Sequence, residues 1–200
     1  MKDLICFNHL QADDIYEIFS IADDIRSGKY NGVLTGKSVV LFFPASSIRM
    51  RVTFEKGIAL LGGQSILFPS DALDKKEDLR DVCGYLDNWA DLVVMRHKDM
   101  QVVEKFAQYA HVPVINAMTE CSHPCEILSD LYALSKIRKQ FLKDEYLFCG
   151  TAGNIGLTWK EASQVLGFHL SQCCGAGYGD TGGGAYHGGR NAAILLFGNV

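Results

Sequence analysis

Between Ser38 and Gly62 the chain reads SVVLFFPASSIRMRVTFEKGIALLG: an apolar run of strand length, a Pro44-Ala45-Ser46-Ser47 break, then a helical pattern rich in arginine. The first N–H groups of a helix have no internal partner, and the dipole there is positive. Such an end takes a dianion such as phosphate, and an arginine fork strengthens it. Ser47 offers a hydroxyl and its own N–H at the helix start. Arg49 lies in the first turn and is read as a ligand arginine. Arg51 lies four residues before Glu55, the spacing of a helical ion pair, and is read as structural.

Two further places offer chemistry. Arg96 directly follows the apolar run Leu92–Met95, so it is expected at the C-terminal edge of a strand, the edge that also carries Ser47. His97 beside it is read as an exposed histidine. In ECSHPCEILSDL, His123 precedes Pro124 at an expected helix start, where an imidazole can polarise a carbonyl or meet an oxyanion. Glu126 is placed to face the same ligand. No G-x-S-x-G is present, and Cys125, expected to be buried, is the one cysteine beside a histidine. A phosphorylated substrate with electrophilic donors and no nucleophile suggests group transfer by positioning and charge stabilisation.

The elements needed to hold these residues are legible. An amphipathic helix is expected over 12–27, ended by Gly28. Strands are expected at 38–43, 64–68, 91–95 and 113–116, and helices at 48–61, 77–89, 99–110 and 124–139. The alternation predicts a parallel sheet covered on both faces, with ligands at the strand C-termini. Residues 139–145 read as a polar hinge. A second unit follows: strand 146–150, the turn Thr151-Ala152-Gly153-Asn154, helix 155–166 and strand 168–174. The fold class is α/β: two doubly wound parallel-sheet lobes, the second incomplete, over 1–139 and 140–200. The Gly150-x-x-Gly153-x-x-Gly156 run lacks dinucleotide spacing and a closing acidic residue, so a nucleotide-binding regulator is a minor alternative. Residues 175–189 are glycine-rich and read as a disordered loop.

Composition bounds the partners. A net charge of −4 argues against a nucleic-acid binder. No apolar run approaches the ~18 residues that span a bilayer, and no leader pattern opens the chain, so the expectation is a soluble cytoplasmic protein. The seven cysteines are odd in number and lack C-x-x-C spacing. Reduced thiols are favoured over a metal site at Cys121, His123 and Cys125.

Taken in order, these motifs resemble the aspartate/ornithine carbamoyltransferase family, most closely its ornithine-type branch. The family's S-T-R-T-R-x-S-F-E is similar to Ser47-Ile48-Arg49-Met50-Arg51-Val52-Thr53-Phe54-Glu55, its H-P-C-Q to His123-Pro124-Cys125-Glu126, and its G-x-x-N turn to Gly150–Asn154. The resemblance covers about residues 1–175. It implies carbamoyl transfer from carbamoyl phosphate to an amino group of an amino acid such as ornithine. Ser47, Ile48, Arg49, Met50, Arg96, His123 and Glu126 would bind carbamoyl phosphate. Arg49 and His123 would be catalytic, stabilising the carbonyl oxygen, and Asn154 would bind the amino acid. No metal or organic cofactor is implied. A homotrimer is implied, with a neighbouring subunit completing each site through the loop near 70–77, by Lys75 or Lys76. Three features depart from the family: Ile48 and Met50 stand at threonine positions, Glu126 stands at a glutamine position, and neither D-x-x-S-M-G nor H-C-L-P occurs. Either the chain is truncated after about residue 175, or its reading frame changes there, or the second domain is unusually small. A non-catalytic carbamoyl-phosphate-binding or assembly paralogue is the alternative.

Overall fold

The computed structural model describes residues 2–74, 76–151, 153–174 and 193–197. Lys75 and the glycine-rich stretch 175–189 lie outside the described residues. The chain divides into two compact units: Met1–Ile5 with Tyr16–Glu120, and Cys6–Ile15 with Cys121–Val200.

In the first unit, β1 (Ser38–Phe42), β2 (Gln64–Phe68), β3 (Leu92–Arg96) and β4 (Val114–Met118) form one sheet in the order β2-β1-β3-β4. All pairs are parallel. Because side chains alternate across a strand, β1 supplies two cores at once. Val40 and Phe42, with Val93, Met95 and Val114, pack beneath α3 (Leu79–Leu86) and α4 (Met100–Tyr109) through Cys83, Leu86, Val103 and Phe106. Val39 and Leu41, with Val94 and Ala117, pack under Ile58 and Phe54 of α2 (Ile48–Leu60). One helix on one face and two on the other is what right-handed crossovers produce when the chain first steps outward from β1 and then returns past it. Strand β2 is the exception to the expected cover on both faces. It is an edge strand, and Ile66 and Phe68 are exposed.

Helix α1 (Ala12–Arg26) ends two residues before Gly28, whose φ of +84° favours glycine. At the end of α3, the Asp87 carboxylate accepts the N–H groups of His111 and Val112 at 2.9 and 3.2 Å and pairs with the His111 ring at 2.7 Å. Burial pushes this carboxyl up. The hydrogen bonds from His111 and Val112 outweigh that, and the net result is below the ordinary carboxylate value. A depressed folded-state pKa contributes stability above the unfolded value of about 3.9 that is lost as pH falls through the folded value. Urea midpoints are therefore expected to fall steadily below pH ~4. Asp87→Asn should lower stability at neutral pH by about 1–2 kcal/mol and flatten that acid limb. An unchanged acid limb would remove Asp87 from the cause.

In the second unit, β5 (Glu145–Gly150), β6 (His169–Cys174) and β7 (Ala193–Phe197) form a parallel sheet in the order β6-β5-β7. Helix α5 (Pro124–Ile137) groups with this unit, beside α6 (Asn154–Leu166), although strand counting alone places it with the first lobe. Tyr146, Trp159 and Phe168 form an aromatic core, with Tyr146 and Phe168 ring centroids 4.6 Å apart. The expected hinge at 139–145 is a packed corner. Phe141 is buried, the Tyr146 hydroxyl donates to the Phe141 carbonyl at 2.9 Å, and Arg138 grips Asp144 with two hydrogen bonds. A β-carbon at Gly156 would lie 2.9 Å from the Phe148 ring. That glycine therefore lets α6 approach β5, and it is not needed to cradle a nucleotide.

Candidate functional site

Strand β1 lies between β2 and β3, so the connections leaving β1 and β3 diverge to opposite sides. Their C-terminal ends form the topological switch point, the place where α/β sheets bind ligands. Pro44 interrupts the run after β1, and Ser47 becomes the N-cap of α2. A serine cap ordinarily accepts an N–H from its own helix. Here it makes no such bond. Its hydroxyl accepts instead from Arg96 Nη1 at 3.0 Å, and Ser47 is buried. The β3–β4 register shifts between Met95 and Arg96, an irregularity of the kind that re-aims a side chain at a strand end. Helix start and strand end are thus joined by one charge-assisted bond.

The remaining residues of this turn divide. The Ser47 N–H goes to the Pro44 carbonyl at 2.9 Å and the Ile48 N–H to the Ser46 carbonyl at 3.0 Å. Both are therefore committed to the turn. Arg49 and Met50, as second and third residues of α2, have amides without an intrahelical acceptor by position. The Arg49 side chain is exposed, while that of Met50 packs against the core beneath α2. Met50 therefore acts as a core side chain where the sequence comparison looked for a hydroxyl. Ile48 is 74% exposed. Arg51 pairs with Glu55 at 3.0 Å, as its spacing predicts.

His97 corrects the expectation of an exposed histidine. Its ring is buried, Nε2 lies 3.0 Å from Asp74 Oδ1, and Nδ1 accepts the Asp99 N–H at 3.1 Å. The residue after Arg96 therefore ties the 3₁₀ turn Ser70–Asp74 to the end of β3. An exposed-loop reading missed this because the partner is 23 residues away in sequence.

In the second unit, His123 is the N-cap of α5 with Pro124 behind it, as expected. Its ring is buried and Nε2 lies 2.7 Å from Glu126 Oε2, one turn on. Its Nδ1 is buried with no hydrogen-bond partner among the described residues. Asp130 follows one turn after Glu126. Burial of its surroundings and the neighbouring Glu126 charge push its carboxyl up, against the opposing pull of His123. Cys125, expected to be buried, is half-buried, and the desolvation around it pushes its thiol up to about 12, away from the thiolate form. Strand β5 lies between β6 and β7, so the Gly150–Asn154 turn leaves from the second sheet's own switch point. Asn154 opens α6, and its side-chain oxygen accepts the Ile155 N–H at 3.0 Å. Sequence reading overlooked Thr158, which bonds to both His123 and Asn154. The N-x-x-x-T spacing on a helix was the available signal.

Ser47 and Arg96 are thus brought together in one unit, and His123, Glu126 and Asn154 lie in the other. Among the described residues no group of histidine, cysteine and acidic side chains could hold a metal, and no helix is long and apolar enough to cross a membrane.

The chain is similar to known proteins over most of its length. Residues 2–136 match the family model "Aspartate/ornithine carbamoyltransferase, carbamoyl-P binding domain". The chain is 32% identical over 184 residues to the ornithine carbamoyltransferase of Geobacter sulfurreducens, covering 89% of this chain and 61% of that protein. It is 35% identical over 173 residues to that of Desulfotalea psychrophila, covering 83% and 57%. Among solved structures it is similar to ornithine carbamoyltransferase from Thermus thermophilus, with a TM-score of 0.82 at 26% identity over 91% of this chain and 65% of that one. The Pyrococcus furiosus enzyme gives 0.81 at 29%, over 88% and 58%. The chain spans about 60% of the length of the curated relatives it matches.

Proposed function

Because the chain belongs to the aspartate/ornithine carbamoyltransferase family, we propose that it binds carbamoyl phosphate and passes the carbamoyl group to the amino group of an amino acid such as ornithine. Residues 1–139 serve the donor and residues 140–200 begin the acceptor lobe. Arg96, Ser47, Arg49 and the amides of Arg49 and Met50 hold the phosphate. Arg49 and His123 stabilise the carbonyl oxygen as the amine nitrogen attacks the carbamoyl carbon. The C–O bond to phosphate then breaks, phosphate leaves with the electron pair, and that phosphate takes the proton the amine gives up. Asn154 orients the acceptor. No metal or organic cofactor takes part.

The reaction is cytoplasmic and the assembly a homotrimer, with the loop near 70–77 reaching a neighbour. The exposed pair Ile48 and Val52, one turn apart on α2, supports a surface that another copy covers.

The observation that carries the reading is the Arg96–Ser47 bond at the switch point. It holds a guanidinium and a hydroxyl at a helix start, where an anion binds best. Calorimetric titration with carbamoyl phosphate, with inorganic phosphate as control, tests donor binding. Citrulline formation from ornithine tests transfer. A preference for carbamoyl phosphate with citrulline formed supports the reading. Binding without transfer to any of a broad panel of amines favours a non-catalytic binding protein, a second reading motivated by Glu126 at 2.7 Å from His123. No binding by the folded chain overturns both.

A further inference from the structure

We propose that Thr158 is a positioning residue that anchors His123 to the turn carrying Asn154, so that the two move as one. The roles of His123 and Asn154 rest on the carbamoyl-transfer reading, whereas the anchor itself rests on geometry alone. Thr158 is fully buried on α6, one turn after Asn154. Its hydroxyl donates to the Asn154 carbonyl at 2.7 Å and accepts the His123 N–H at 2.9 Å. A hydroxyl has one hydrogen, so donation to Asn154 sets its rotor and turns a lone pair toward His123.

The need for this acceptor is physical. As the N-cap of α5, His123 has an N–H outside the helical ladder, and the residue is buried away from water. A hydroxyl on another helix is its acceptor. Below the backbone, the ring is held through Nε2 by Glu126. His123 therefore has two tethers, its ring to Glu126 on its own helix and its backbone N–H to Thr158 on α6. A shift of the first turn of α6, as an amino acid settles against Asn154, is passed through the Thr158 hydroxyl to His123. One buried hydroxyl thus couples acceptor binding to the group that polarises the donor.

Thr158→Val keeps the shape and removes the hydroxyl, and Thr158→Ser keeps the hydroxyl and removes a methyl. Thr158→Cys, a weaker acceptor of similar volume, replaces the valine variant if that does not fold. In the ligand-free chain, hydrogen exchange of the His123 amide, referenced to Ile127 within α5, is expected to rise about tenfold in Thr158→Val and to return in Thr158→Ser. The His123 ring resonances should move and return in the same pattern. Where turnover is measurable, kcat should fall about tenfold in Thr158→Val with the donor KM unchanged, again restored by serine. Wild-type exchange and ring signals in Thr158→Val, or a serine variant as impaired as valine, would overturn the anchor and leave a packing role. A wild-type chain without turnover counts against the carbamoyl-transfer reading only, since the exchange measurement needs no ligand.

Discussion

Arg96→Ala is expected to weaken carbamoyl phosphate binding about a hundredfold, read by calorimetry. Two losses add. The guanidinium is a half-buried cation at the strand end, and hydrogen bonds to charged groups are worth about 1.5–3 kcal/mol each. It also holds Ser47 by donating to its hydroxyl at 3.0 Å, and that buried hydroxyl would lose the bond that orients it. Lysine should not restore binding, because a single ammonium cannot reach both an anion and Ser47 as a planar fork does. Arg51→Ala is the control. Its side chain is paired with Glu55 along α2, so donor affinity should hold within about twofold. Wild-type affinity in Arg96→Ala would reduce the Arg96–Ser47 bond to a structural tie.

Glu126→Gln should act in the opposite direction, tightening carbamoyl phosphate about fivefold at low ionic strength. On the carbamoyl-transfer reading Glu126 faces the donor, and a carboxylate facing a dianion at an effective dielectric near 20 opposes it by about 2 kcal/mol. Glu126 is half exposed, so screening should cut this to roughly half. Glutamine keeps an oxygen for His123 Nε2 and removes the charge. The gap between variant and wild type should narrow as salt rises, because only the repulsive part is screened. Equal affinities at every salt concentration would place Glu126 outside the donor's field. Tighter binding without citrulline formation would show that the changed charge alone does not account for an inactive chain.

Much of the fold was legible because parallel strands buried on both faces are continuous apolar runs. Val39–Phe43 and Leu92–Met95 could hardly be anything else. Residues 64–68 were placed correctly as a strand but not as an edge. Ile66 and Phe68 are apolar yet exposed, and hydrophobicity does not say what covers a side chain. The corner at 139–145 was misread for the complementary reason. Its charges drew attention, while one buried Phe141 and an internal Arg138–Asp144 pair hold it closed.

The sequence by itself determined the identity and order of the chemical groups: Ser47 and Arg49 at a helix start, Arg96 at a strand end, and His123 ahead of Pro124. These are local properties, set by where strands, turns and caps fall along the chain. Only the tertiary structure decided which of these groups meet. Parallel pairing brings Arg96 to Ser47, 49 residues apart, and the packing of α6 beside α5 brings Thr158 to His123, 35 residues apart. It also sent His97 inward to Asp74 and committed Met50 to the core. Such choices depend on strand order and helix placement, and these follow from the summed burial of the whole sheet. A short motif carries no record of that sum.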